Sequence, residues 1–252
     1  MNPVKETKND LLFGIRPVIE AIKEGKEIDK LFVQHGLGGE LFHELKALIR
    51  QQNLQFQYVP IEKLNRLTTK NHQGVVCFIS SISYYSIEDV LPTIFEAGKV
   101  PLLLILDRIT DVRNFGAIAR TAYVSGADAI IIPSRGGAQI NADAIKTSVG
   151  ALHKVTVCRE NNLKDTIDYL KASGVRVLAC TEKTDQLYYD VDFTIPTAII
   201  MGSEEDGISP EYIKRSDGAI AIPMYGDLGS LNVSVAAGII LYEAVKQRIL
   251  NK

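Results

Sequence analysis

Residues 101–122 read PLLLILDRITDVRNFGAIARTA, and the order of residue types in that run decides the fold. PLLLILD, 101 to 107, is apolar at every position between its proline and its aspartate. A strand with one solvated face alternates apolar and polar residues, so an unbroken run is what a strand covered on both faces needs. NFGAIARTAYVSG follows with helical spacing and a glycine stop at Gly126. The pattern then repeats: DAIIIP, HKVTVC, VRVLAC, TAIIMG and AIAIP read as strands. NADAIKTSVG, LKDTIDYLKASG, SPEYIKRS and NVSVAAGIILYEAVKQRIL read as helices. Such alternation predicts an α/β domain over residues 101–252, a parallel sheet with helices on both faces.

Upstream, residues 9–80 predict a smaller α/β unit. IRPVIEAIKEG reads as a helix with Pro17 tolerated in its first turn, and DKLFVQ, LQFQYVP and GVVCFIS read as strands around GELFHELKALIRQQ and IEKLNRL. Residues 81–100 read as a linker and entry helix, capped near Ser86 and interrupted by Pro92.

The bulk properties narrow the function. A chain of 252 residues with 46% hydrophobic content can fill substantial cores. The first ten residues carry Lys5, Glu6, Lys8 and Asp10 where a signal peptide needs an apolar core, and no apolar run reaches the ~20 residues of a membrane span. A cytoplasmic protein without membrane partners is therefore expected. Cys77, Cys158 and Cys180 stand far apart, with no ligand at metal spacing, so no metal is expected. A formal charge of -2 argues against a binder that works by bulk attraction to phosphate; an RNA partner would have to be gripped locally.

Familiar ligand motifs are missing. GLGG at 36–39 lies between a strand and a helix but has Leu41 where a dinucleotide fingerprint needs its third glycine. There is no GxxxxGK[ST] and no GxSxG, and the four histidines are scattered.

Three loops after strands do carry signal, because ligands of open α/β sheets bind beyond the carboxyl ends of strands. The first supplies Arg108, Arg113 and Asn114, then Gly116, where backbone could approach a ligand, and Arg120. Arginine suits phosphate because its planar fork makes two parallel charge-assisted bonds. The second, IIMGSEEDGIS, places Glu204, Glu205 and Asp206 between glycines, with Glu204 expected to point inward. The third, AIAIPMYGDLGSLNVSVAAG, sets Ser230, Leu231 and Asn232 before the last helix, where free N–H groups and small polar side chains can hold a ligand's polar edge or simply cap the helix.

Together NFGAIAR, MGSEEDG and IPMYGDLGSLNVSVAAG resemble the three motifs of the SpoU/TrmH RNA ribose 2'-O-methyltransferases of the SPOUT superfamily. FGIRPVIEAI and NHQGVVCFI resemble the small substrate-binding domain of its rRNA-directed branch. The resemblance implies a trefoil-knotted methyltransferase domain behind a small RNA-binding domain, S-adenosylmethionine as cofactor, and a homodimer with sites near the subunit interface. It implies Asn114, Arg120, Glu204, Ser230 and Asn232 as the catalytic set. It puts Thr181, Met201, Gly202, Ile222, Met224 and Leu231 against the cofactor, and Arg108 and Arg113 are assigned to RNA. A guanidinium keeps its proton, so Arg120 is read as binding a phosphate and lowering the pKa of the attacking hydroxyl, with Ser230 a positioner and not a nucleophile. The substrate implied is a guanosine of 23S rRNA. The alternatives are a tRNA ribose, or a non-catalytic RNA-binding assembly factor of the same fold.

Overall fold

The computed structural model describes residues 11–138, 140–227 and 229–251. The first ten residues, including the start of the expected small unit, and Leu228 of the third motif lie outside the described residues. The chain divides into two compact units, one running to Ser83 with Ile140–Ala142, the other comprising Tyr84–Gln139 and the chain from Asp143.

The smaller unit runs β1 (Leu11–Phe13), α1 (Ile15–Lys23), β2 (Ile28–Gln34), α2 (Glu40–Gln51), β3 (Gln57–Val59), α3 (Ile61–Leu67) and β4 (Val75–Ile79). Its sheet order is β1-β4-β2-β3. β3 lies parallel to β2 at one edge, while β4 is antiparallel to both β1 and β2. One face of the sheet packs Leu31, Val33 and Val75 against Ile22 and Leu45 of α1 and α2; the other packs Phe32 and Val76 against Leu64 of α3. β1 is three residues long, too short to show alternation in the sequence.

The larger unit opens with α4 (Ile87–Glu96), whose N-cap Ser86 accepts a hydrogen bond from the Glu88 N–H. Pro92 does not interrupt this helix. It lies on the exposed face, where the carbonyl it leaves unpaired can reach water, while Ile87, Leu91 and Ile94 anchor the other face. There follow β5 (Leu102–Leu106), α5 (Val112–Ser125), β6 (Ala129–Pro133), α6 (Ala142–Thr147), β7 (Thr156–Glu160), α7 (Leu163–Ala172) and β8 (Arg176–Cys180). β9 (Thr197–Met201), α8 (Pro210–Arg215), β10 (Gly218–Ile220) and α9 (Val233–Leu250) complete it.

The sheet order is β10-β8-β9-β5-β6-β7, with every neighbouring pair parallel. β5 and β9 are buried at every residue, as the apolar runs predicted. α5 ends on Gly126 at φ 75, a left-handed cap that only glycine adopts without steric cost. Gly116 has a different task from the one its sequence suggested. It is buried inside α5, and a Cβ there would lie 2.8 Å from Thr147 Cβ and 2.9 Å from the Ala144 carbonyl oxygen, so it lets two helices approach. β5 connects onward to β6 on one side and pairs with β9 on the other. The chain segments leaving β5 and β9 therefore diverge over a crevice at the carboxyl edge of the sheet, where open α/β folds place ligands.

Candidate active site at the carboxyl ends of the parallel strands

β9 ends at Met201, Gly202 follows it, and the next residues form a tight turn. The Ser203 N–H donates to the Gly207 carbonyl (3.2 Å), the Gly207 N–H donates back to Ser203 (3.0 Å), and the Asp206 N–H donates to Ser203 Oγ (3.1 Å). Any side chain at Gly202 would collide with that closure: its Cβ would stand 2.2 Å from the Gly207 carbonyl carbon and 2.3 Å from Ile208 N. Glycine at 202 is thus the condition for Glu204, Glu205 and Asp206 to be held at the strand end.

The loop after β5 is tied to this turn. Asp107 is buried, and its carboxylate accepts from Ser209 N–H at 2.7 Å and from Arg108 Nε at 3.0 Å. Arg108 itself sits at φ 55, and its other nitrogens donate to Asp206 (3.1 Å), Asp107 (3.3 Å) and the Gly207 carbonyl (3.2 Å). The hydrogen bond from Asp107 holds the guanidinium above its ordinary pKa, with the charges of Asp107 and Asp206 adding and burial opposing. The side chain expected to meet RNA is here a brace between two loops of its own chain.

The third loop joins them through Asn232, the N-cap of α9. Its Oδ1 accepts from Ser234 N–H (3.0 Å), Val235 N–H (3.4 Å) and Ser234 Oγ (2.6 Å). Its Nδ2 donates to Glu204 Oε1 at 2.7 Å and to Asn114 Oδ1 at 2.9 Å, and the Val233 N–H also donates to Glu204 at 3.4 Å. Asn114 rides on the first turn of α5, capped by Asp111, whose carboxylate accepts from the N–H groups of Arg113 and Asn114. Capping and site-building, alternatives in the sequence, are carried out by two ends of one amide. Asn114, Glu204 and Asn232 are brought together.

Two cavities flank this cluster. One, of about 310 Å³, is lined by all six residues expected at a cofactor (Thr181, Met201, Gly202, Ile222, Met224 and Leu231), with Glu204 and Ser230 also on its wall. The other, of about 460 Å³, is lined by Arg108, Asp111, Asn114 and the Ser203–Asp206 turn. Glu182, Glu204, Glu205 and Asp206 face the first cavity against one lysine, Lys183, so its field favours a cation. Cys180 also lines it, with its thiol pushed up to about 12 by burial and then by Glu182, which keeps it protonated and poorly nucleophilic.

Arg113 and Arg120 are elsewhere. Both are exposed on α5 and line neither cavity, and Arg120 has no side-chain partner among the described residues. Sequence reasoning missed Asp107 and Ser209. The one signal for Asp107 was a carboxylate closing an otherwise apolar strand.

A fully covered parallel sheet, with polar side chains from three strand ends set between two cavities, is the build of an enzyme that holds a small ligand beside a second substrate. The family follows from comparison with known proteins. Residues 101–242 match the SpoU rRNA methylase family, and residues 11–85 match the RNA 2'-O ribose methyltransferase substrate-binding family. The chain belongs to the SpoU family of RNA methyltransferases. A Bacillus subtilis protein, YacO, whose name assigns it to the TrmH family of tRNA/rRNA methyltransferases, is 32% identical over 96% of this chain and 97% of its own. The AdoMet-bound rRNA methyltransferase from Sinorhizobium meliloti superposes with TM-score 0.60 at 26% identity, covering 94% of this chain and 86% of its own. The TrmH/SpoU tRNA modifying enzyme of A. aeolicus superposes with TM-score 0.56 at 33% identity, covering 66% of this chain and 85% of its own.

Proposed function

We propose that the protein transfers a methyl group from S-adenosylmethionine to a ribose 2'-hydroxyl of large-subunit rRNA, at a guanosine. The observation that carries the reading is the meeting of Asn114, Glu204 and Asn232 beside a cavity lined by the six residues expected at the cofactor. The cavity fits that group. Its volume of about 310 Å³ suits a small molecule, its carboxylates complement a sulfonium, and at Gly202 bare backbone forms the wall. When bound, the cofactor supplies a methyl activated by a sulfonium that leaves as a neutral thioether.

The chain's own residues position and polarise. Glu204, fixed by the Asn232 amide, and Asn114, fixed on α5, orient the incoming ribose, while Ser230, on the cavity wall, holds the nucleotide or cofactor. Arg120 binds the phosphate next to the reacting sugar, and its positive field lowers the cost of developing charge on the hydroxyl oxygen. Because Arg120 lies outside both cavities of its own chain, the reading includes a homodimer in which the exposed α5 and α9 faces meet. The exposed Tyr123, Val124, Val235 and Tyr242 on those helices support it. The trefoil knot, the division of labour between residues 9–80 and 101–252, and a cytoplasmic site of action belong to the same reading.

Ribosomal RNA is favoured over tRNA because a neighbour titled for rRNA covers 94% of this chain, and two titled for tRNA cover 66% and 61%. The test uses purified protein with labelled donor and, separately, rRNA and tRNA, followed by nucleoside mass spectrometry. 2'-O-methylguanosine should appear in the rRNA, and Arg120→Ala should abolish it while S-adenosylhomocysteine still binds. Methylation of tRNA alone, or near-normal turnover by Arg120→Ala, refutes the corresponding part.

A further inference from the structure

The smaller unit carries an exposed ring pair, His35 and Tyr58, that belongs to neither of its hydrophobic cores. β3 is the edge strand of the sheet, and Tyr58 on it is 42% exposed. His35, the first residue after β2, is also exposed and lies stacked on Tyr58, with ring centroids 5.7 Å apart and planes 23° from parallel. Phe56, itself packed against the core, meets Tyr58 edge-on with ring centroids 5.0 Å apart. The backbone holds this arrangement: Tyr58 pairs in register with Val33, and the His35 N–H donates to the Val59 carbonyl at 3.0 Å. Gly36 and Gly39, at φ 74 and 101, shape the turn that follows. The result is two rings already stacked on one another at an open sheet edge.

A pre-stacked pair left open to water gives up little further freedom on binding a third flat group. The chain neighbours are Gln34 and Gly36 beside His35 and Gln57 and Val59 beside Tyr58, none of them a cation, and Lys63 of α3 lies over the Phe32 ring instead. A duplex held by its phosphates would want lysines and arginines here. A single unpaired base wants a ring face and an amide edge.

We propose that His35 and Tyr58 form a stacking platform for one unpaired base of the RNA substrate. The inference deepens the reading above and rests on it for the identity of the polymer, since residues 11–85 match a substrate-binding family. Its physical signature differs from that of phosphate contacts. Stacking releases no counterions, so its contribution is nearly independent of salt.

The test is fluorescence anisotropy with the full chain, at two salt concentrations. The probes are a mixed-sequence single-stranded RNA of about 12 nucleotides and the duplex of the same sequence. Tyr58→Ala and His35→Ala should each weaken single-strand binding about tenfold, by the same factor at both salts. Tyr58→Trp should retain binding, and duplex binding should not change. Circular dichroism of each variant checks that the fold is kept; if Tyr58→Ala fails to fold, the comparison of Tyr58→Phe with His35→Ala decides. S-adenosylhomocysteine affinity should be untouched in all of them, which separates failure of the platform from failure of the methyltransferase reading. The proposal is overturned if wild-type protein ignores the single strand, if the alanine variants bind it normally, or if their loss appears as a reduced salt slope.

Discussion

Replacing Arg108 distinguishes a brace from an RNA contact. Arg108→Ala would leave the Asp107 carboxylate, only 2% exposed, with the Ser209 N–H as its remaining hydrogen-bond donor in that network. Breaking a fully buried ion pair from one side costs roughly 3–5 kcal/mol. Arg108 is 39% exposed, so water can reach the gap, and a discounted value of about 2 kcal/mol is appropriate. With a urea slope of about 2–3 kcal/mol/M for a chain of this size, the unfolding midpoint of the larger unit should fall by close to ~1 M. The turn carrying Glu204 also loses the bonds from Arg108 to Asp206 and Gly207. A shift of about 1 Å in a positioning group costs on the order of 100-fold, so kcat should drop by about 10- to 100-fold while KM for RNA barely moves. Arg108→Lys restores a charge beside Asp107 but not the fork, and should recover about half the stability. The assays are urea unfolding, steady-state methylation and RNA binding as a function of salt. If Arg108→Ala keeps its stability and kcat but flattens the salt dependence of RNA binding by about 0.7 in log–log slope, the brace is wrong and the side chain is a phosphate contact.

Asn232 separates capping from chemistry. Asn232→Asp keeps an oxygen for the Ser234 and Val235 N–H groups but sets a second carboxylate 2.7 Å from Glu204 Oε1. It should therefore melt within about 1 kcal/mol of wild type yet lose methyl transfer as deeply as Asn232→Ala, and an active Asn232→Asp would show that the donor is dispensable. Gly202→Ala forces a Cβ to 2.2 Å from the Gly207 carbonyl carbon, and calorimetry should find S-adenosylhomocysteine binding gone. Gly238→Ala, whose Cβ would meet Thr121 Cγ2 at 3.7 Å, should instead stabilise α9 by up to about 1 kcal/mol in thermal unfolding. Glu160 is raised above its ordinary pKa, by burial first and then by Glu88 and Asp89, against hydrogen bonds from the Ile87 N–H and Ser86. A raised folded pKa means stability that is complete below the unfolded value and lost as pH rises through the folded one. Glu160→Gln should therefore melt higher than wild type at pH 7, and the gap should close toward about pH 4 in melting curves taken across that range.

The parts of the fold that were legible in the sequence are those set by local pattern. The unbroken apolar runs of β5 and β9 required burial on both faces, and Gly126 required a left-handed stop. Pro92 misled because the penalty for a helical proline depends on whether the stranded carbonyl faces water, which no neighbouring residue reveals. Gly116 misled for a similar reason. A glycine that admits a ligand and one that admits another helix are the same letter, and its partner Thr147 lies on a later helix. Arg108 shows the limit most clearly. Its type and position suggested an anion from outside, but the anion is Asp206, 98 residues further along, brought close by the pairing of β9 with β5. The cluster of Asn114, Glu204 and Asn232 was readable as a set of residue types by resemblance. That a single amide of Asn232 both caps α9 and binds the other two side chains was not readable, because it depends on the angle at which α9 enters.

The charge distribution explains why donor and acceptor need separate supports. Four carboxylates face the first cavity against one lysine, and a field of that sign attracts a sulfonium but repels a polyanion. A chain of net charge -2 also lacks the long-range pull that steers basic proteins onto RNA. On the reading proposed above, the substrate is held by groups other than those that line the donor cavity. The exposed guanidinium groups of Arg113 and Arg120 on α5 would hold its phosphates, and ring faces on the small unit would hold an unpaired base. Recognition of that kind selects for folded RNA with exposed bases over plain duplex, because little affinity is available from the backbone alone. An acidic donor site and a weakly charged exterior thus act in the same direction. On the reading proposed above, correct presentation of one ribose, and not general attraction to RNA, decides whether the methyl is transferred.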